Sequence, residues 1–256
     1  MQKSAIEYLK AVGGMTWNPI AMRCKPISAG CANCWHIRMA KRQAANHTLG
    51  ERRRAAVMED GTPRLFADEL LAPSKRKKPT LIAVQFMGDL FESHVENGQI
   101  DSVFSEMARL KRHIFLVLTK RTERMCHYMR ECGTKALYLD NIWLGTSVEG
   151  DRELERIRLL QATPGVNRWV SFEPLISPVD LDVWDGISWA TVGAETGPHK
   201  RSCAQQWIAS LRAQCFDAGV AFFGKVNGGG DPIEPRQLPP EFYGLRAMHK
   251  KQGAKR

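Results

Sequence analysis

The sequence predicts an α/β fold, a partial or full (β/α) barrel of six to seven parallel strands or an open doubly wound sheet. Two observations carry that expectation. From residue 81 onward, short apolar, β-branched runs alternate with segments of helical spacing, the rhythm of βαβ units. The runs are also nearly continuous in apolar residues, as strands buried on both faces require.

Taken in order, residues 15–22 read as a first strand and residues 34–58 as a long helix with basic and Ala-rich faces. Residues 59–80, rich in Pro, Lys and Arg, read as an exposed connection. Strands follow at 81–86, 114–118, 142–148, 168–172 and 187–192, with a weaker one at 220–223. Between them the apolar spacing predicts helices at 100–111, 123–131, 152–161 and 204–218. The Pro- and Gly-rich residues from 228 on are expected to wrap the outside. The whole is read as a single domain over 1–256, with a βα core at 15–225 and a C-terminal extension at 226–256.

With 43% hydrophobic and 25% charged residues, global disorder, collagen-like repeats and a coiled coil are excluded. No apolar run approaches the roughly 18 residues of a membrane span. The first residues lack the apolar stretch and cleavage site of a secretory signal, so a cytoplasmic setting is expected. There, seven cysteines point to thiols or metal ligands rather than a disulfide framework. The 37 Lys and Arg against 27 Asp and Glu leave a net charge of +10. Local basic runs lie at 52–54, 75–78, 199–201 and 250–256. Any one of them suits a solvated face; together they suit a polyanionic partner such as DNA, whereas no basic amphipathic helix with aromatic anchors points to a membrane surface.

In parallel α/β proteins the loops after the strand C-termini build the site. Here five successive strands run into charged residues: Gly88-Asp89, Lys120-Arg121, Ser147-Val148-Glu149, Glu173-Pro174 and Gly193-Ala194-Glu195. A parallel sheet gathers these at one mouth, suited to a zwitterionic, hydroxyl-rich ligand. We assign Lys120, Arg121, Glu173 and Glu195 to the substrate or its protonation states.

After Thr16-Trp17-Asn18-Pro19 come Cys24, Cys31 and Cys34, a C-x6-C-x2-C spacing. Three thiolates from one loop suit a [4Fe-4S] cluster that keeps one iron open to an external ligand. His36, two residues on, makes a closed Cys3His zinc site the competing reading, and buried unliganded thiols are a third. Cys126, Cys132, Cys203 and Cys215 match no ligand spacing and are expected to be structural.

The ordered set T-W-N-P, the three-cysteine loop, F-M-G-D-L-F, L-T-K-R, L-G-T-S-V-E, S-F-E-P-L and V-G-A-E-T-G-P resembles a phage and bacterial radical-SAM-like family. The resemblance implies that Cys24, Cys31 and Cys34 hold a [4Fe-4S] cluster whose open iron binds the amino and carboxylate groups of S-adenosylmethionine. It also places Gly88 and Asp89 at the methionine amino group, and Ser147 and Glu149 at the ribose or carboxylate. The spacing departs from the superfamily's common C-x3-C-x2-C. Asn33 stands where an aromatic residue often lies near the adenine, with Trp35 just after the third cysteine.

The activity so implied is reductive cleavage of S-adenosylmethionine to a 5′-deoxyadenosyl radical, with an electron donor such as flavodoxin. The phage-like resemblance and the basic surface together suggest isomerisation of a hypermodified thymidine in phage-type DNA within the host cytoplasm. Lyase-type repair of damaged DNA bases is the alternative enzyme reading. A zinc-stabilised, non-catalytic nucleic-acid-binding protein is the alternative of a different class.

Overall fold

A computed structural model describes residues 1–44, 62–131 and 139–245. The chain opens with β1 (Gln2–Lys3), α1 (Glu7–Ala11), β2 (Met15–Trp17) and β3 (Ile20–Ala21). After the cysteine loop come α2 (Trp35–Ala44), β4 (Arg64–Leu65) and α3 (Ala67–Leu70). The βα rhythm then runs β5 (Leu81–Val84), α4 (Asn97–Arg109), β6 (Ile114–Thr119), α5 (Thr122–Glu131), β7 (Ile142–Ser147) and α6 (Glu155–Ala162). It closes with β8 (Asn167–Phe172), β9 (Trp189–Val192), α7 (Gln205–Asp217) and β10 (Ala221–Gly224).

Among the described residues, eight strands form one sheet in the order β1-β2-β5-β6-β7-β8-β9-β10. Only β1 is antiparallel to its neighbour; every later pair is parallel. The expected α/β class is therefore present. The edge strands β1 and β10 do not pair with each other, so the sheet is not closed.

Because neighbours in the sheet follow chain order and such crossovers are right-handed, the helices fall on one face. The side chains record this with period two. Ile82, Phe115, Leu144, Val170, Ala190 and Phe222 join α4 to α7 in one core, while Leu81, Leu116, Trp143, Trp169, Trp189 and Phe223 join α1 in a second. Strands buried on both faces explain the continuous apolar runs.

Three expectations need correction. The first strand does not run through 15–22: β2 ends before Asn18-Pro19, where proline offers no N–H to a ladder, and β3 pairs with β4 in a separate two-stranded sheet. Gln85, at φ 55°, ends β5 and bonds Ile20 N at 3.1 Å and Ile20 O at 2.7 Å, so its amide replaces the lost pairing. The connection at 59–80 is structured where it is described, holding β4 and α3. Finally, the C-terminal extension does not simply wrap the outside. It lies antiparallel along β10 through Phe223 and Arg236, and it sends Leu238, Phe242 and Leu245 into the second core. Apolar burial outweighs its turn-rich composition. Of the helix expected at 34–58, residues 35–44 are helical and 45–58 lie outside the described residues, as does Cys132.

Candidate functional site

The strand C-termini and the cysteine loop enclose a cavity of ≈ 270 Å³, near the lower end of the range for small-molecule sites. Cys24, Cys31 and Cys34 all line it. So do Gly88, Asp89, Lys120, Arg121, Ser147, Glu173 and Glu195, leaving Glu149 as the one expected residue that does not. Gly88 sits at φ 119°, and a Cβ there would stand 2.8 Å from the Met22 side chain, so only glycine fits this strand end.

The cysteine loop turns through a 3-10 segment, Ala29–Cys31, and is fastened by the strand ends. Ser28 Oγ donates to Glu149 Oε1 at 2.6 Å. Gly30 packs so closely that a Cβ would stand 2.5 Å from the same oxygen. Lys25 N donates to Glu92 Oε2 at 2.9 Å, and Arg121 Nη2 donates to Lys25 O at 2.8 Å. Asn33 Nδ2 donates to Glu195 Oε2 at 3.0 Å and to His199 O at 2.7 Å.

Cations stand against two of the three sulfurs. Arg121 Nη1 lies 3.5 Å from Cys24 Sγ, and Lys120 Nζ lies 3.5 Å from Cys31 Sγ. Burial, then the Asp89 carboxylate, pushes the Cys24 thiol up to about 12 against the pull of Arg121. Burial would raise Cys31 as well, but Lys120 and hydrogen bonds at Ile27 and Ser28 outweigh it and hold that thiol below its ordinary value.

The carboxylates differ in what they leave open. Asp89 accepts from Phe91 N (2.9 Å), Thr119 Oγ1 (2.7 Å), Lys120 N (3.0 Å) and Arg121 Nη1 (3.2 Å). Four donors fill the roughly four acceptor positions of a carboxylate. Glu195 is filled similarly by Asn33 and the backbone and guanidinium of Arg201. Burial opposes its ionisation, yet Arg201 and Asn33 hold it down at about 2. Glu149 is fully buried between Lys120, Arg156 and Ser28, behind the cavity wall. Among the described residues Glu173 accepts only from Thr191 Oγ1, at 2.6 Å, and from Lys225 Nζ, which leaves it acceptor capacity where it lines the cavity.

The cavity's inner side is apolar, with Ile6, Tyr8, Phe86 and Leu118. Tyr8 rests edge-on against Trp189, with ring centroids 5.2 Å apart. Sequence reasoning missed Tyr8, Lys225, Ser28 and Asn33 as cavity-lining or loop-holding residues. Each acts across more than 50 positions of chain, and the strand-end rule, which stopped at Glu195, reaches one of them, Lys225, only if it is extended to β10.

His36 is buried, and neither ring nitrogen has a partner among the described residues. Burial lowers its pKa below the ordinary value. No three His, Cys, Asp or Glu side chains among the described residues form a group able to hold a metal ion. Cys126 and Cys215 are buried in α5 and α7, and Cys203 is half-buried.

These features define an α/β protein whose parallel strands end at one charged, thiol-lined cavity. Residues 3–255 match the model of a family described as a protein of unknown function, DUF5131, and the chain belongs to that family. No curated protein and no solved structure matches it. Among the described residues no helix is long and apolar enough to cross a membrane.

Proposed function

We propose that this chain is a radical S-adenosylmethionine enzyme acting on a modified base in DNA, and that its open sheet is a partial (β/α) barrel. One observation carries the reading: three thiols of a single loop face one cavity that also holds the ends of six parallel strands.

Three thiols that line one cavity, two of them against cations, are a donor set that a [4Fe-4S] cluster would take, each on a different iron. When bound and reduced, the cluster would supply the electron that cleaves S-adenosylmethionine to the 5′-deoxyadenosyl radical.

The chain's own residues then divide the remaining work. Lys120 and Arg121 offset the negative charge of thiolates, which otherwise repel each other in a low-dielectric site. Glu149 and Glu195 hold the cysteine loop in register with the strand ends. Gly88 and Ser147 line the side assigned to the cofactor, and Asp89 contacts its amino group only by giving up one of four donors. Glu173, with Lys225 and Tyr8, is the polar group on the apolar side and is assigned to the substrate. Desolvation there protects a reactive intermediate from water. The net charge of +10 supports a polyanionic substrate. Isomerisation of a hypermodified thymidine is the favoured reaction, with an electron donor such as flavodoxin as partner.

His36, buried and without a partner among the described residues, favours one second reading, a zinc-stabilised nucleic-acid-binding module. Anaerobic reconstitution separates the two. About four irons and four sulfides per chain, lost in C31A, support the enzyme; one zinc in a colourless protein overturns it. Digesting treated DNA to nucleosides then distinguishes isomerisation from lyase-type base repair.

A further inference from the structure

We propose that Trp35 is a stacking platform for one unpaired nucleobase of a DNA strand, and that Arg38 and Lys200 hold the phosphates flanking it. The inference deepens the reading above and rests on it only for the identity of the chemistry that follows binding.

Trp35 directly follows Cys34 and opens α2, yet 45% of its surface is exposed. Trp17, Trp143, Trp169 and Trp189 are fully buried, and of the large apolar side chains left exposed among the described residues Trp35 is the one that lines the cavity. An indole kept in water at the lip of a site has a face free for a planar partner, and base–aromatic stacking tolerates any base.

Its surroundings are cationic. Arg38 lies three residues along α2, on the same helical face. Its guanidinium reaches the loop at 196–200, donating to Thr196 O at 3.4 Å. That loop is exposed and carries His199 and Lys200. Asn33 ties it to the cysteine loop through His199 O at 2.7 Å, so ring and cations share one rim. Glu195, which Asn33 joins to this rim, is already neutralised by Arg201. A flat ring beside positive charge that no carboxylate neutralises among the described residues is the recognition chemistry of a single strand or of a base extruded from a duplex.

A flat heterocycle has a second source, the adenine of S-adenosylmethionine, and the test separates the two. Anisotropy of a fluorescein-labelled single-stranded oligonucleotide is measured on the reconstituted protein at two salt concentrations. Equilibrium dialysis of S-adenosylmethionine and iron content are followed alongside. We expect W35A to weaken oligonucleotide binding about tenfold and W35F to retain most of it, with iron and cofactor affinity unchanged. R38Q/K200Q lowers affinity and flattens the slope of log affinity against log salt by about 0.7 for each phosphate no longer neutralised. Unchanged oligonucleotide binding in W35A overturns the proposal. Loss of cofactor affinity alone overturns it too, and moves Trp35 to the adenine. If the wild-type protein takes up no cluster but W35A still loses the oligonucleotide, the radical reading fails and the platform stands.

Discussion

Lys120 Nζ lies 3.5 Å from the Cys31 sulfur while also neutralising the fully buried carboxylate of Glu149. One cation thus joins the end of β6, the end of β7 and the cysteine loop. Burial alone would raise Glu149, but Lys120 and Arg156, with the Ser28 hydroxyl, hold it below the ordinary carboxylate range. A carboxylate depressed in this way stabilises the fold above its unfolded pKa, and that stabilisation is lost as pH falls through the folded value.

Removing the charge at Glu149 leaves Lys120 and Arg156 partly buried without their counter-ion. Breaking a buried pair from one side costs about 3–5 kcal/mol. We expect E149Q to lose about 3 kcal/mol in urea unfolding at neutral pH, and to bind less iron. A loss below 1 kcal/mol contradicts the clamp.

Gly30 supplies a steric test of the same contact. A Cβ 2.5 Å from Glu149 Oε1 forces the loop away from β7. G30A is expected to keep its far-UV circular dichroism and lose most reconstituted iron. G98A, in α4 with open space around the added methyl, is the control. It should keep its iron and gain up to about 0.5 kcal/mol. Equal iron in both variants would refute the loop contact.

His113 sets a pH dependence remote from the cavity. It is fully buried, its Nε2 lies 3.1 Å from Pro73 O, and burial, aided by Arg112 and Arg76, lowers it from 6.5 to about 4. The unfolded chain binds this proton more readily than the folded one between those values, so stability falls as pH drops through that window. The full effect is at most about 3–4 kcal/mol. H113N should flatten the pH 4–6.5 limb of the unfolding free energy; an unaltered limb assigns it to other groups.

Much of this arrangement is legible in the sequence. The nearly continuous apolar runs locate all the parallel strands from β5 on, because both faces of the sheet are covered and most positions are apolar. The strand-end rule then finds the cavity wall, as Asp89, Lys120, Arg121, Glu173 and Glu195 all reach it. Roles within the wall are not legible, since they depend on partners far away in the chain. Glu149 reads like its neighbours, but Ser28, 121 positions earlier, turns it into a buried anchor. Asp89 reads as a free ligand contact until Thr119 and the Lys120 amide are seen to fill it. The break after Trp17 depends on Gln85, whose amide replaces a ladder that Pro19 cannot continue.

Electron paramagnetic resonance of the reconstituted, reduced protein, with and without S-adenosylmethionine, addresses the three-cysteine site most directly. A [4Fe-4S]⁺ signal that shifts when the cofactor is added is expected, because the proposed cluster would have three protein ligands and one iron open to the cofactor. A cluster signal indifferent to the cofactor, or no cluster at all, would contradict it.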